Sequence, residues 1–448
     1  MPGGHRQLGA AHATALVIAN MVGTGVFTTT GVILPGLGSP LAVLAVWAVS
    51  GVLALCGAAV YAELGTMMPD VGGEYVYISR ALHPAAGFVA GWVGILVGFA
   101  TPTGAAALAF ARYLHAAAPS LPQGPAALGL IVVLTAAHMT HVRFGAAFQT
   151  AVTALVLGLI LMFVVGAALS GRGDWAHLTQ SAVAGSSSPG PAPGVLTVGA
   201  FAVGLVYVGY AYFGWNAVSY VAGEVRDPSR TLPRALVAGT VTVTALYLAL
   251  NFVFLWAVPP RALAGKIEVA SVAAAALFGA RGAAWLSALV AFAVAGCASA
   301  MLLAGSRITV AMAEDGVVFP ALARRGRYGA PTAAVALQGA IAATAALTTG
   351  FDRLLVFVGF TLNLTAGATV AAAFVRRRRD PTAARPPRAL GWPVSGVLFL
   401  ALVAAMTFFS IRERPWESLA GLATLVAGGV AYSIWHRRAE RPTDRVLP

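Results

Sequence analysis

Long uncharged apolar runs follow one another along the whole chain, each able to cross a hydrocarbon core of about 30 Å as a helix of roughly 20 residues. Lipid offers a peptide group no hydrogen-bond partner, so segments of this length must satisfy their backbone internally, as helices. Counting runs of roughly 18 residues gives about 12 spans. They fall near 10–36, 40–68, 84–116, 125–141, 145–170, 196–222, 233–258, 270–313, 330–349, 352–375, 390–410 and 416–435. A short surface helix is expected around Ile267 to Ala280, within the eighth. Of 448 residues, 59% are apolar and only 10% charged, so the chain reads as an all-α polytopic membrane protein. Met1 to Gly9 is a short polar leader without a small-residue cleavage pattern, and the first span is expected to serve as its own signal.

The net charge of +13 is carried by the links between apolar runs, not by one soluble face, which argues for topology and against nucleic acid. Lysine and arginine are retained on the cytoplasmic side. With the N-terminus inside, about 20 of the 28 basic residues become cytoplasmic. These include Arg226, Arg230 and Arg234, then Arg324, Arg325 and Arg327, then Arg376 to Arg379, and Arg437, Arg438, Arg441 and Arg445 in the tail. Both termini are then cytoplasmic, and Ser170 to Gly194, rich in Ser, Gly and Pro, is an extracellular loop. Cys56 and Cys297 lie inside apolar spans, far apart, and read as packing residues outside any disulfide framework or metal pattern. Neither sits in an external loop, so no disulfide-linked heavy chain is expected. Lysine is so scarce against arginine that a GC-rich bacterial genome, and hence a bacterial inner membrane, is the expectation.

Two spans are interrupted midway by residues that disfavour unbroken helix: Asn20-Met21-Val22-Gly23-Thr24-Gly25-Val26-Phe27 in the first, and Tyr210-Ala211-Tyr212-Phe213-Gly214-Trp215-Asn216 in the sixth. Paired breaks at corresponding places point to a solute site between inverted repeats, because irregular backbone at membrane depth must be buried or line a cavity. The spans then divide as five, five and two: a first five-helix repeat at 1–170, a loop at 171–195, and an inverted second repeat at 196–375. A basic link at 376–389, two helices at 390–436 and a tail at 437–448 complete the chain. Where both helices unwind, the carbonyls ending one half-helix and the N–H groups opening the next share a space that suits a zwitterion. An α-amino acid is the simplest such solute. The arrangement needs no buried charged side chain, and none lies near either break in the sequence. Gly23 and Gly25 are equally compatible with close helix packing through small residues.

Gly23 to Phe27, Tyr61-Ala62-Glu63-Leu64-Gly65, Pro69-Asp70-Val71-Gly72-Gly73-Glu74-Tyr75-Val76-Tyr77, Gly214-Trp215-Asn216 and Glu224-Val225-Arg226-Asp227-Pro228 together resemble the amino acid–polyamine–organocation superfamily. Within it, the chain is most similar to the L-type amino acid transporters and their bacterial relatives. The resemblance covers nearly the whole chain, with the last two spans least diagnostic. It implies the bacterial leucine transporter fold and alternating access around spans 1 and 6. It also implies that the backbone of Val22, Gly23, Thr24 and Gly25 receives a substrate carboxylate, and the carbonyls of Met21, Tyr210 and Ala211 the ammonium. Tyr210 falls where the family keeps an aromatic gate, and Asn216 completes the candidate substrate-binding set. Phe213 falls where carriers of cationic amino acids have aspartate and large-neutral transporters have glycine. A ring directed into the pocket leaves a second positive charge unpartnered and removes volume, which favours small to medium neutral amino acids; the alternative is a ring that packs against lipid or a neighbouring helix.

Many sodium-independent relatives carry a lysine in span 5. Here the aligned position is Val156, and the only lysine, Lys266, lies in an external link. Sodium would find oxygen ligands near Ile18, Met21 and Ser299. Sodium coupling, proton coupling and uncoupled exchange all stay open, and no cofactor is expected. Glu63 and Arg112, near span ends, are expected to reach the interface. Glu224, with Arg226 and Arg230, is expected to form salt bridges that gate the inner exit. Asn20, Asn251, Gln338 and Asn363 read as interhelical hydrogen-bonders. His138 and His141 lack the companions a metal site needs. The leading function is a secondary carrier of neutral amino acids in the lipid bilayer. The alternatives are a cationic amino acid or polyamine carrier, or a non-transporting sensor. A membrane enzyme would need clustered acids, histidines or an activated nucleophile, and a channel would need charged rings or carbonyl filters; the sequence offers neither.

Overall fold

The computed structural model describes residues 8–69, 72–140, 146–182, 196–326, 329–382 and 389–439. Asp70, Val71, His141, Arg327, most of the 171–195 loop, part of the 376–389 link, the side chains of Arg437 and Arg438, and the tail from 440 lie outside the described residues. The described residues fold as helices α1 (Ala10–Met21), α2 (Gly25–Leu37), α3 (Pro40–Met67), α4 (Glu74–Ala81), α5 (Pro84–Val93), α6 (Thr101–Ala117), α7 (Gln123–Thr140) and α8 (Ala146–Ser170). They continue as α9 (Val198–Tyr212), α10 (Pro228–Ala257), α11 (Pro260–Leu263), α12 (Val269–Glu314), α13 (Thr332–Thr348), α14 (Phe351–Arg379), α15 (Val394–Glu413) and α16 (Pro415–Ala439). Local chemistry sets several of the boundaries. The Ser39 and Thr197 side chains accept the N–H groups of Ala42 and Ala200, capping α3 and α9, and Gly38, at φ 65°, ends α2 in the left-handed region.

Ten helices among the described residues are long and apolar enough to cross a bilayer, eleven when α1 and α2, bent by 42°, count as one broken span. The shorter α13 brings the total to the twelve apolar runs of the sequence. α5 and α6 form one continuous span through a π-helical turn at Gly94–Ala100. The long α12 leaves helical geometry at Gly279, φ 76°, so the short helix expected around 267–280 is its first segment. The molecule is therefore an all-α polytopic membrane protein.

Burial separates centre from periphery. In α14, 72% of the apolar span window is buried, against 11% in α7 and 17% in α16, whose remaining apolar surface suits lipid. The interrupted helix α9 packs against α2, α3, α14 and α15, and α1 packs along α10, so both breaks lie inside the bundle.

Several polar residues differ from expectation. Glu63 does not reach an interface: it is 2% exposed, paired with Arg377 of α14 through Nε at 2.9 Å and a second guanidinium nitrogen, and it accepts the Ala389 N–H at 2.7 Å. A guanidinium fork satisfies a buried carboxylate more completely than the membrane surface would. Asn20 and Asn363 bond carbonyls one turn back in their own helices, at Leu16 and Gly359, so neither amide bridges helices through these bonds. Asn251 does bridge, to Thr30, and Gln338 donates to the Ile95 carbonyl at 3.1 Å, in the π-helical turn.

Candidate functional site

α1 stops where Val22 turns to φ −75°, ψ 96°, its N–H still bonded to the Ile18 carbonyl at 2.9 Å. α2 restarts at Gly25 with no side-chain cap; the Phe27 N–H bonds the Thr24 carbonyl at 3.2 Å, and the Gly25 and Val26 N–H groups ahead of it have no acceptor within the helix. α9 stops at Phe213, at φ −55° and ψ 140°. Gly214 follows at φ 108°, and the chain resumes as a 3-10 helix over Ala217–Glu224.

The two interruptions face each other. A Cβ on Gly214 would run into the Asn20 carbonyl, and one on Gly25 would meet Ala211 Cβ at 2.5 Å. Glycine is thus required twice, for a left-handed backbone at Gly214 and for close approach at Gly25. Beside Gly23 the space is open: a Cβ there meets nothing nearer than the Met21 carbonyl at 3.9 Å. Thr24 Oγ1 and the Tyr210 hydroxyl share a hydrogen bond of 3.1 Å across the breaks, and both residues are buried. Phe213 is only half-buried, directly at the second break.

One residue unsuspected from the sequence closes this arrangement. The Tyr247 hydroxyl, from α10, donates toward the Met21 carbonyl at 2.5 Å and the Ala211 carbonyl at 3.0 Å. A single proton is shared between two of the carbonyls expected to receive a substrate ammonium. Asn251, one turn on, anchors the tyrosine from behind by donating to its carbonyl at 2.8 Å. The available signal was two polar residues one turn apart, Tyr247 and Asn251, in the otherwise apolar Ala245 to Ala257.

Other candidates lie elsewhere. Asn216 turns away from the opposed breaks and donates to Glu74 Oε1 at 3.0 Å, an atom that also accepts the Tyr61 hydroxyl at 2.6 Å. Folding therefore brings a buried carboxylate beside the second break, where the sequence placed none, because the 72–83 link packs back onto the 3-10 helix: the Gly72 N–H bonds the Tyr220 carbonyl at 3.1 Å. Burial pushes the Glu74 carboxyl up to about 6, against the opposing pull of hydrogen bonds from Tyr61 and Asn216.

The three residues named for sodium each have a protein partner. Ile18 O holds the Val22 N–H, Met21 O holds Tyr247, and Ser299 Oγ pairs with His138 Nε2 at 2.8 Å. Positions two apart on a helix point in nearly opposite directions, about 200° apart. Accordingly Cys297 sends its Sγ to the Val22 carbonyl, 3.7 Å away, while Ser299 faces α7. Val156, at the span-5 position, is buried. Glu224 and Arg226 are exposed and act through the backbone: the Leu8 N–H bonds Glu224 O at 3.1 Å, and the Arg226 N–H bonds Leu8 O at 2.9 Å. Among the described residues, Glu224 has no ion pair, and Arg230 meets Asp227 instead, at 3.9 Å between exposed side chains.

The family model described as amino acid permease matches residues 8–430. The large neutral amino acids transporter small subunit 2 of Rattus norvegicus is 29% identical over 438 residues, covering 95% of this chain and 80% of the relative. The Homo sapiens protein of that name has the same identity and coverage. The b(0,+)-type amino acid transporter 1 of Mus musculus is 26% identical over 463 residues, covering 99% of this chain and 92% of the relative.

Proposed function

This chain belongs to the amino acid permease family, and from that premise we propose that it is a secondary carrier moving neutral, small to medium L-amino acids by alternating access. The observation that carries the reading is the Tyr247 hydroxyl on the Met21 and Ala211 carbonyls, opposite the uncapped first turn of α2. A hydroxyl donor there marks the place an ammonium takes, since an ammonium brings three donors to the same acceptors. The substrate carboxylate then lies on the Gly23 to Gly25 backbone, at the positive end of the α2 dipole. A neutral substrate follows from Phe213, which offers a second positive charge no counter-ion. It also agrees with the similarity to the large neutral amino acids transporter small subunit 2.

In this reading α1 and the 3-10 half of span 6 move against the rest, as parts of two inverted five-helix repeats. Tyr210 covers the substrate, and the Leu8 ladder with Glu224 and Arg226 closes the inner exit. Lysine and arginine placement sets both termini in the cytoplasm. The protein works as a carrier rather than an enzyme, without a disulfide-linked heavy chain. Uptake of radiolabelled amino acids into proteoliposomes tests the proposal: accumulation or exchange of small neutral amino acids is expected, and inertness toward all amino acids rejects it. Replacing sodium by choline, and imposing a pH jump, separates the driving ions.

A further inference from the structure

We propose that Glu74 is the proton site of this carrier, closing the face that bears Leu8 and the 72–83 link when protonated and releasing its proton to water when that face opens. The inference rests on the carrier reading above and makes opening on that face depend on pH.

The geometry comes first. Glu74 is 7% exposed, and Oε1 takes neutral donors from two elements, Tyr61 of α3 and Asn216 at the second break. These donors tie the half of span 6 expected to move to a helix expected to stay. Thr365 of α14 donates its hydroxyl to the Leu362 carbonyl at 2.9 Å, so it brings no positive charge either. Among the described residues, no cation forms an ion pair with Glu74. A buried carboxylate held only by neutral donors is costly as an anion and cheap as an acid.

The surrounding ionisable groups do not supply the missing charge. Tyr61, Tyr77 and Tyr220 are phenols. Glu63 of α3 and Arg377 of α14 pair with each other, and Arg379 donates to the Ala81 carbonyl at 3.0 Å. Arg376 is also on α14. Arg80 lies on α4 itself, and Tyr75 faces Asp315 and Tyr432. α5 carries no charged residue, and His83, just ahead of it, caps the Ala85 N–H with Nδ1 at 3.1 Å.

The sign of the coupling follows from hydration. In the closed arrangement the carboxyl holds its proton up to about pH 6; exposed to water it returns toward its ordinary value of 4.5. Opening therefore releases a proton between these limits, and acidification favours closure by up to roughly 30-fold, from the difference of about 1.5 pH units. Above pH 6 Glu74 is ionised in both arrangements and the coupling fades.

The test uses the full-length protein in proteoliposomes, with labelled neutral amino acid. Exchange at pH 7.5 is measured first. Wild type is expected to change its rate across pH 4.5 to 6. Glu74→Gln, whatever its absolute rate, is expected to be flat there, while Glu74→Asp regains the pH step. A Glu74→Gln protein with the wild-type pH profile overturns the proposal. So does wild-type exchange that is present at pH 7.5 but flat across the window, a result that needs no variant to fold. Wild type inert toward every amino acid at pH 7.5 overturns the carrier reading, and this proposal with it.

Discussion

Tyr247 reaches two carbonyls that belong to different broken helices, so its hydroxyl holds the breaks together. Removing it in Tyr247→Phe leaves buried acceptors unpaired, at a cost of about 1–3 kcal/mol. A substrate ammonium supplies donors to the same carbonyls, so binding should recover much of that loss. The thermal midpoint of substrate-free Tyr247→Phe is expected to fall by several degrees, and its rise with saturating substrate to exceed that of wild type. Equal substrate-induced shifts in the two proteins would place the ammonium elsewhere. Phe213 is the complementary case, a side chain instead of a backbone determinant, half-buried at the second break. Phe213→Asp should add a charge-assisted hydrogen bond for a cationic side chain, about 1.5–3 kcal/mol, or roughly 10- to 150-fold in the preference for lysine or arginine over neutral substrates. Competition uptake reads this directly, and poorer expression with an unchanged substrate profile would make Phe213 a packing residue.

At the scale of elements, the breaks were legible in the sequence because glycine and polar residues inside an apolar run conflict with continuous helix in lipid. Their mutual contact was not. It depends on Gly214 accepting a positive φ against the Asn20 carbonyl and on Gly25 lying against Ala211, distances that no local pattern encodes. The glycines therefore separate by variant. Gly214→Ala is expected to cost several kcal/mol through strain and collision, and to yield little monodisperse protein in size-exclusion chromatography. Gly23→Ala, with open space at its Cα, is expected to fold with a thermal midpoint within a few degrees of wild type yet bind substrate at least tenfold more weakly. Tight binding in Gly23→Ala would move the carboxylate away from that segment. The side-chain partners escaped the sequence for the same reason. Glu74 meets Asn216 across 142 positions and Ser299 meets His138 across 161, so only the packed fold pairs them.

The whole molecule repeats this division between local and distant information. Span limits follow from hydropathy and agree with the helices within a few residues, because length and apolar content decide what lipid tolerates. Burial was harder to read: Glu63 looks like a span-end charge until the fold delivers Arg377, and with it a link between α3 and α14. Sidedness rests on a different principle, the retention of lysine and arginine inside. Arg324 follows the short 3-10 turn after α12, whereas Lys266 lies between α11 and α12, at the other end of that long helix. Opposite ends of one spanning helix must open to opposite sides. In a background with Cys56→Ala and Cys297→Ala, Lys266→Cys should react with a membrane-impermeant maleimide in intact cells, and Arg324→Cys only after permeabilisation. The reverse pattern would invert the molecule and put the Leu8 ladder, and the Glu74 proton site with it, at the outer face. Labelling of both residues in intact cells would mean that α12 does not span.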